Sequence, residues 1–456
     1  MKYFFDPTII REYDIRGVYG DTLKKADAKI IGHIFGLSLE KNKTVNICCD
    51  GRKSSQPLKE ELIEGLSEVG CNIIDIGLGP TPMLYYSNFL NNSEAGIMIT
   101  GSHNPPSHNG FKIVKDKMSF FGVDLKNLAK SAQNYNFVEK KSSYQKKDIE
   151  NEYVNMLIKN LNQEKNLNVV WDAGNGSAGN VMKKIADHVK GNKILLYEDI
   201  DGEFPNHHPD PSDQNTLKDI IKSVKENNMD LGIAFDGDGD RIGVIDNLGN
   251  VIPGDLLLLL LGIDVLKKKK GACIIGDVKC SQVLFDEIKK NGGRAIMSKT
   301  GHRLIKDCMK KESADLAGEM SGHIFFADDY YGFDDALYAA IRLLNILSQS
   351  KKKLSDLIFQ FPKLYNTPEI RIFCDDVEKF KIIEEIISNQ KNHNYSSIDG
   401  IRVNHQQGWW LMRASNTQAA IVLRCEANSS EQLRIMKEKV KKELKKVKPE
   451  LVEQIT

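Results

Sequence analysis

Three aspartates alternate with glycine in FDGDGDR, Phe235 to Arg241. Carboxylates this close repel one another, and a bound cation would relieve the cost of folding Asp236, Asp238 and Asp240 together. Donors that are all oxygen suit Mg²⁺ or Ca²⁺ rather than zinc. A calcium-binding EF-hand loop needs glycine at its sixth position and glutamate at its twelfth. Counted from Asp236, those positions hold Arg241 and Asn247, so that reading fails. Three protein carboxylates would leave coordination positions for a phosphate oxygen or water. A bare solvated turn is the remaining alternative.

Three more segments carry groups of the right kind. TGSHNP, Thr100 to Pro105, follows an apolar run, and its glycine and Asn-Pro predict a tight turn with Ser102 at the tip. A serine hydroxyl is a weak nucleophile alone, but it can carry a phosphoryl group where cations stabilise the charge. A plain turn with a capping serine would read the same way. GEMSGH, Gly318 to His323, offers Glu319, Ser321 and His323 as partners for sugar hydroxyls, or is a polar loop. RASNTQ, Arg413 to Gln418, sets a guanidinium beside two hydroxyls and two amides. That set suits a phosphate, although a surface turn could look alike.

One segment points elsewhere. GNGSAG, Gly174 to Gly179, matches the dinucleotide fingerprint, follows an apolar run, and has Glu198 about twenty residues on. No hydride-transfer site is evident downstream, so a structural turn is the expectation. His33, His188, His393 and His405 read as surface or packing residues, and His207-His208 has no clear metal-ligand spacing.

These loops need a scaffold. The chain has 456 residues, enough for three or four domains at about 150 residues each. It is 41% hydrophobic and 27% charged, which excludes a wholly disordered chain. Its 63 Lys+Arg against 62 Asp+Glu leave no global basic field, so no nucleic-acid partner is expected. Pro7, Arg11, Glu12 and Asp14 interrupt the start before a signal-peptide core can build, and the apolar stretch Leu256 to Ile263 is too short for a membrane span. Eight cysteines without a C-x-x-C fit free thiols. The expectation is a reduced, cytoplasmic protein with no membrane partner.

Over three quarters of its length the chain alternates short β-branched runs with amphipathic ones, which predicts α/β layers with mostly parallel sheets. A weak three-fold pattern runs through them. First strands are expected at 45–51, 167–174 and 272–278, second strands at 72–77, 193–199 and 294–301, and third strands at 95–105, 231–241 and 314–323. Each third strand runs into one of the loops above, and ligands of open α/β sheets bind beyond the carboxyl ends of strands. The last quarter reads as a smaller α+β domain closed by a lysine-studded helix over 430–446. That helix and Lys267–Lys270 are expected to be solvated faces.

Taken together, the four loops resemble those of the α-D-phosphohexomutase superfamily, in its order and at similar spacing. REYDIRG, NGFKIV, FPNHHPDP, GDVKCS and KTGHRLIK agree further. GEMSGH is the form of the bacterial bifunctional branch, whereas phosphoglucosamine mutases typically carry Gln where Met320 stands. The resemblance implies four domains around a central cleft: 1–147 with the phosphoserine loop, 148–250 with the metal loop, 251–362 with the sugar loop, and 363–456 with the phosphate loop. It implies an intramolecular phosphotransferase that interconverts the 6- and 1-phosphates of mannose and glucose through a phosphoserine and a 1,6-bisphosphate. Phosphoglucosamine mutase, another hexose mutase or a non-catalytic sugar-phosphate sensor are the alternatives.

The resemblance also assigns roles. Ser102 carries the phosphoryl group and, with Asp236, Asp238 and Asp240, binds one Mg²⁺; glucose or mannose 1,6-bisphosphate is the activator. Glu319 and Ser321 grip the 3- and 4-hydroxyls, and Arg413, Ser415, Asn416 and Thr417 hold the distal phosphate. Tyr13 and Arg16 border the phosphoserine, Arg241 and Lys279 add positive charge, and His302 and His323 contact the sugar or its phosphate. Lys112 is the candidate proton acceptor, assisted by His103. The expected assembly is a monomer.

Overall fold

A computed structural model describes residues 1–136, 140–390, 394–416 and 418–455. The chain divides into two compact units, residues 1–257 with 321–356, and residues 258–320 with 357–455.

In the first unit, Ala95–Ile99 (AGIMI) is buried at every position, as a strand covered on both faces must be. Thr44–Cys49 lies between it and Asn72–Leu78, and all three run parallel. His108–Lys115 then pairs antiparallel with Ala95–Ile99, so the sheet is mixed. Ile15–Val18 and Ser143–Lys146 form its margins. The second sheet repeats this plan. Val169–Asp172 lies between Lys193–Leu196 and Leu231–Phe235, all parallel, and Ile242–Asp246 pairs antiparallel with the latter. Its helices are amphipathic. Lys218–Glu226 buries Ile220 and Val224 against Val170 and Ala234 and leaves its lysines outward.

In the second unit the same core recurs, with Cys273–Asp277 between Arg294–Ser298 and Leu316–Gly318, all parallel. The three-fold pattern of the sequence is therefore a repeat of strand order: second, first, third. In each repeat the third strand ends just before a polar loop. The C-terminal part is a meander in which Ala420–Ala427, Gly408–Ala414 and Ile401–His405 pair antiparallel in sequence. Helix Ser430–Val447 packs on it through Met436, Val440 and Leu444. The Ser429 hydroxyl caps that helix by accepting from Gln432 N–H at 3.2 Å. Lys442, Lys445, Lys446 and Lys267–Lys270 are exposed, as expected.

All eight cysteines are free thiols. No helix among the described residues is long and apolar enough to cross a membrane. His393 and Thr417 lie outside the described residues.

Candidate active site

The first unit brings Ser102 to the acidic triplet. Ser102 follows the Ala95–Ile99 strand at φ +50°, a left-handed conformation that a serine adopts at a cost. Its N–H donates to Thr100 Oγ1 at 2.8 Å, and its hydroxyl donates to Asp236 Oδ2 at 3.1 Å. His103 Nδ1 lies 3.3 Å from the same hydroxyl. Burial and the charges of Arg241, Arg16, Lys112 and His323 hold the half-buried His103 well below the usual histidine range. Its imidazole is neutral near pH 7.

The loop is held from behind by Arg52, which the sequence reading missed. Arg52 Nε pairs with Asp50 Oδ2 at 3.0 Å. Its Nη1 donates to the carbonyls of Pro105 and His108, and its Nη2 to those of Ser102 (2.7 Å) and Asn104 (2.6 Å). A Cβ on Gly101 would fall 2.4 Å from the guanidinium carbon, so only glycine fits there.

Asp236, Asp238 and Asp240 are fully buried, with one oxygen of each within 4.8 Å of the others. Asp236 Oδ1 accepts the N–H of Asp240 and of Arg241, both at 3.1 Å. Burial and the charges of Asp240 and Asp238 push its carboxyl well above the usual range. Lys112 Nζ donates to Asp238 Oδ2 at 2.7 Å and to Asp240 Oδ2 at 2.5 Å. Burial opposes the Lys112 charge, but these carboxylates outweigh it and raise its pKa above the lysine norm. In this arrangement Lys112 is an ammonium group shared between two of the three carboxylates. Asp238 Oδ1 is buried with no hydrogen-bond partner among the described residues. An orphaned carboxylate oxygen in an all-oxygen donor set fits a hard divalent cation.

Two neighbours brace this loop. The N–H of Thr81 donates to the Asp238 carbonyl at 2.8 Å, and its hydroxyl donates to Asp238 Oδ2. Ser177, in GNGSAG, donates its N–H (2.9 Å) and hydroxyl (3.2 Å) to the Gly237 carbonyl. The apparent dinucleotide fingerprint is thus a structural turn that supports the metal loop. His207 Nε2 lies 3.0 Å from the buried Asp172 at the head of that turn.

The unit also holds further expected residues, of which Arg241 and His323 lie beside this centre. Arg241 Nε donates to His323 Nε2 at 3.0 Å, and His323 Nδ1 lies 3.3 Å from Asp334 and 3.7 Å from Asp240. Arg16 pairs with Asp14 at 2.6 Å and contributes to the field at His103. Tyr13 is buried, and Ser321 is half-buried.

The second unit gathers the remaining expected groups. Glu319 is buried, and its Oε1 accepts the N–H of Gly301 at 2.6 Å, which sets His302, the first residue of the next helix, beside it. Lys279 follows the Cys273–Asp277 strand and pairs with Glu369 at 2.7 Å and Asp277 at 3.7 Å. Glu369, another residue missed, is held down to about 2, chiefly by the Lys279 charge. Buried Arg402 and Arg424 donate to the carbonyls of Val278, Lys279 and Cys280 and so fix the loop that carries Lys279. Arg413, at the end of Gly408–Ala414, donates through Nε to Asp399 Oδ2 at 2.8 Å. The same oxygen accepts the Thr300 N–H at 3.0 Å. Ser415 and Asn416 follow Arg413 in the loop, and the Ser415 hydroxyl accepts the Gln418 N–H at 3.2 Å. The remaining phosphate-loop residue, Thr417, is the one outside the described residues.

Repeated α/β layers that present a buried serine beside an acidic triplet fit a protein of the phosphoryl-transfer class. Comparison with known families makes this specific. Phosphoglucomutase/phosphomannomutase alpha/beta/alpha domains I, II and III match residues 7–137, 151–249 and 253–365, and the C-terminal domain of the same family matches 369–443. The chain belongs to the phosphoglucomutase/phosphomannomutase family. A phosphomannomutase/phosphoglucomutase of Pseudomonas syringae pv. tomato is 45% identical over 448 residues, covering 97% of this chain and 96% of its own. A phosphoglucomutase of Neisseria meningitidis serogroup A is 40% identical, covering 92% and 93%. A crystal structure of a family protein from Burkholderia thailandensis superposes with TM-score 0.91 at 37% identity, covering 98% of this chain and 99% of that one.

Proposed function

We propose that this enzyme is a phosphohexomutase that moves a phosphoryl group reversibly between the 6- and 1-positions of mannose and glucose phosphates. The observation that carries the reading is the 3.1 Å contact between the Ser102 hydroxyl and Asp236, inside a buried acidic triplet with an orphaned oxygen on Asp238. A buried cluster of this kind is costly to fold unless it binds a cation, and the Ser102 hydroxyl lies 3.1 Å from one of the carboxylates that would hold it.

Asp236, Asp238 and Asp240 would hold Mg²⁺ together with the Ser102 oxygen. Mg²⁺ there supplies charge neutralisation for phosphoryl oxygens. Ser102 carries the phosphoryl group and gives it to the free hydroxyl of a bound monophosphate. The bisphosphate so formed turns round and returns its other phosphoryl group to Ser102. Free 1,6-bisphosphate serves as activator by phosphorylating Ser102. Arg16, Arg241 and Lys112 supply fixed positive charge around the reacting oxygens. His103, neutral and 3.3 Å from the Ser102 oxygen, is the neighbour able to take a hydroxyl proton.

One site must accept the sugar in two opposed orientations. Glu319 and Ser321 can do this by binding the 3- and 4-hydroxyls in the middle of the ring. Arg413, Ser415, Asn416 and Thr417 would hold the distal phosphate in either orientation, with Lys279, His302 and His323 around the sugar. Mannose and glucose differ at carbon 2, so such a grip tolerates both.

The test is intact-mass measurement before and after adding glucose 6-phosphate or mannose 6-phosphate. A mass increment of one phosphoryl group, localised to Ser102 and discharged by substrate, is expected. Ser102→Ala should lose the increment and orders of magnitude of turnover while keeping its fold. A Ser102→Ala variant that turns over near the parent rate refutes the phosphoserine cycle. An increment that substrate leaves in place also counts against it.

A further inference from the structure

Carboxylates have about four acceptor positions, and a metal ligand must keep one aimed at the ion. Asp238 is arranged so that this choice is already made. Its Oδ2 accepts both the Thr81 hydroxyl and the Lys112 ammonium, while its Oδ1 is buried and has no hydrogen-bond partner among the described residues. Thr81 also holds the other end of the residue, through its N–H to the Asp238 carbonyl at 2.8 Å. The two grips together leave Asp238 little freedom to rotate about either its backbone or its side chain.

Thr81 is itself fixed. It is fully buried at the start of helix Thr81–Leu90, with Pro80 before it and Pro82 after it. Pro80 packs on the metal loop so closely that a Cβ on Gly239, which sits at φ +72°, would fall 3.0 Å from the Pro80 Cβ. This segment follows the Asn72–Leu78 strand of the first sheet, whereas Asp238 follows the Leu231–Phe235 strand of the second. The first sheet thus supplies both the phosphoryl-bearing serine and the group that orients an acidic ligand of the second.

We propose that Thr81 is a positioning residue for the divalent-cation site, turning Asp238 so that Oδ1 faces the ion. The proposal rests on the reading that the acidic triplet binds such an ion. Outer hydrogen-bond partners of metal ligands typically contribute about 10- to 100-fold in affinity. Lys112 pairs with the same Oδ2, so removing the Thr81 hydroxyl keeps the charge balance and removes only the orientation.

The experiment measures Mn²⁺ binding to the full chain by electron paramagnetic resonance, without substrate, for the parent, Thr81→Val, Thr81→Ser and Asp236→Asn. Thr81→Val keeps the shape of the side chain and loses the hydroxyl. It should bind Mn²⁺ about 10- to 100-fold more weakly while remaining folded at the temperature of the measurement. Thr81→Ser, which restores a donor, should return to within a few-fold of the parent. If Thr81→Val does not fold, Thr81→Ala compared with Thr81→Ser gives the same contrast. Parent-like Mn²⁺ affinity in the hydroxyl-less variant overturns the proposal, as does equal weakening in Thr81→Ser. Where the parent binds Mn²⁺ and Asp236→Asn does not, such a failure belongs to Thr81 alone. Where the parent fails to bind Mn²⁺, the cation reading falls and the proposal with it.

Discussion

Removing Arg52 tests whether the reactive serine is held by its loop or by the residues around the sugar. The side chain is fully buried against Asp50 and donates to four carbonyls, those of Ser102, Asn104, Pro105 and His108. A hydrogen bond from a charged donor contributes about 1.5–3 kcal/mol net, so simple addition would give about 6–12 kcal/mol. Such terms do not add, and breaking one partner of a buried ion pair costs about 3–5 kcal/mol. Against this, the left-handed backbone of Ser102 stores about 1–2 kcal/mol of strain that the surroundings must overcome. With Arg52→Met the balance tips, and the loop relaxes away from the geometry that sets Ser102 against Asp236. A loss of about 3 kcal/mol in the preference for that geometry corresponds to roughly a hundredfold in population. Phosphoryl transfer should therefore fall by about 10- to 1,000-fold in kcat. KM should stay within a few-fold, because Arg413 and Glu319 are untouched. Arg52→Lys keeps a charge for Asp50 but cannot reach four carbonyls, so it should recover thermal stability more than kcat. Steady-state kinetics with glucose 1-phosphate, beside thermal unfolding of each variant, gives the answer. A kcat within twofold of the parent in a folded Arg52→Met protein refutes the reasoning.

Two further outcomes follow from the geometry. Arg413→Ala should raise KM for hexose phosphates by about 10- to 100-fold with a smaller change in kcat, because on the proposed reading its charged hydrogen bond to phosphate would form already in the ground state; an unchanged KM removes Arg413 from the proposed phosphate site. For His207, burial opposes the charge, but the hydrogen bond and charge of Asp172 raise its pKa above the histidine norm. The stabilisation from this pair is complete below the unfolded value of about 6.5 and is lost as pH rises through the higher folded value. The thermal midpoint of the parent should fall relative to that of His207→Gln as pH rises above about 6.5; parallel curves would show that the imidazolium contributes nothing.

Much of this was legible because the decisive information is local. Asp236, Asp238 and Asp240 lie within five residues, and repulsion between them is a property of the sequence alone. The repeat of apolar runs followed by polar loops showed the three-fold character of the strands, since strands buried on both faces are nearly continuous in apolar residues. What escaped is what the fold pairs across long separations. Thr81 and Asp238 are 157 positions apart, and Arg52 and Ser102 are 50 apart. Arg52 stands in a DGR segment just after a strand, and Thr81 between two prolines just after another. Both positions mark strand-to-helix turns, but neither names its partner. The pairing of Lys112 with Asp238 and Asp240, 126 and 128 positions away, is another long-range contact that neither segment names by itself.

Several residues of the site break local rules. Serine at positive φ, a carboxylate oxygen buried without a donor and an arginine with no solvent contact are each unfavourable alone, and folded proteins keep such features where function demands them. Here they form one chain of cause. Arg52 holds the carbonyls of the turn in which Ser102 is left-handed; the hydroxyl of that turn donates to Asp236; and Thr81 with Lys112 occupies one oxygen of Asp238, which on the proposed reading would leave the other for a cation. Each link spends stability to fix a position rather than to make a contact with substrate. Substitutions along this chain should therefore act on kcat and metal affinity, whereas those in the Glu319 and Arg413 loops act on KM.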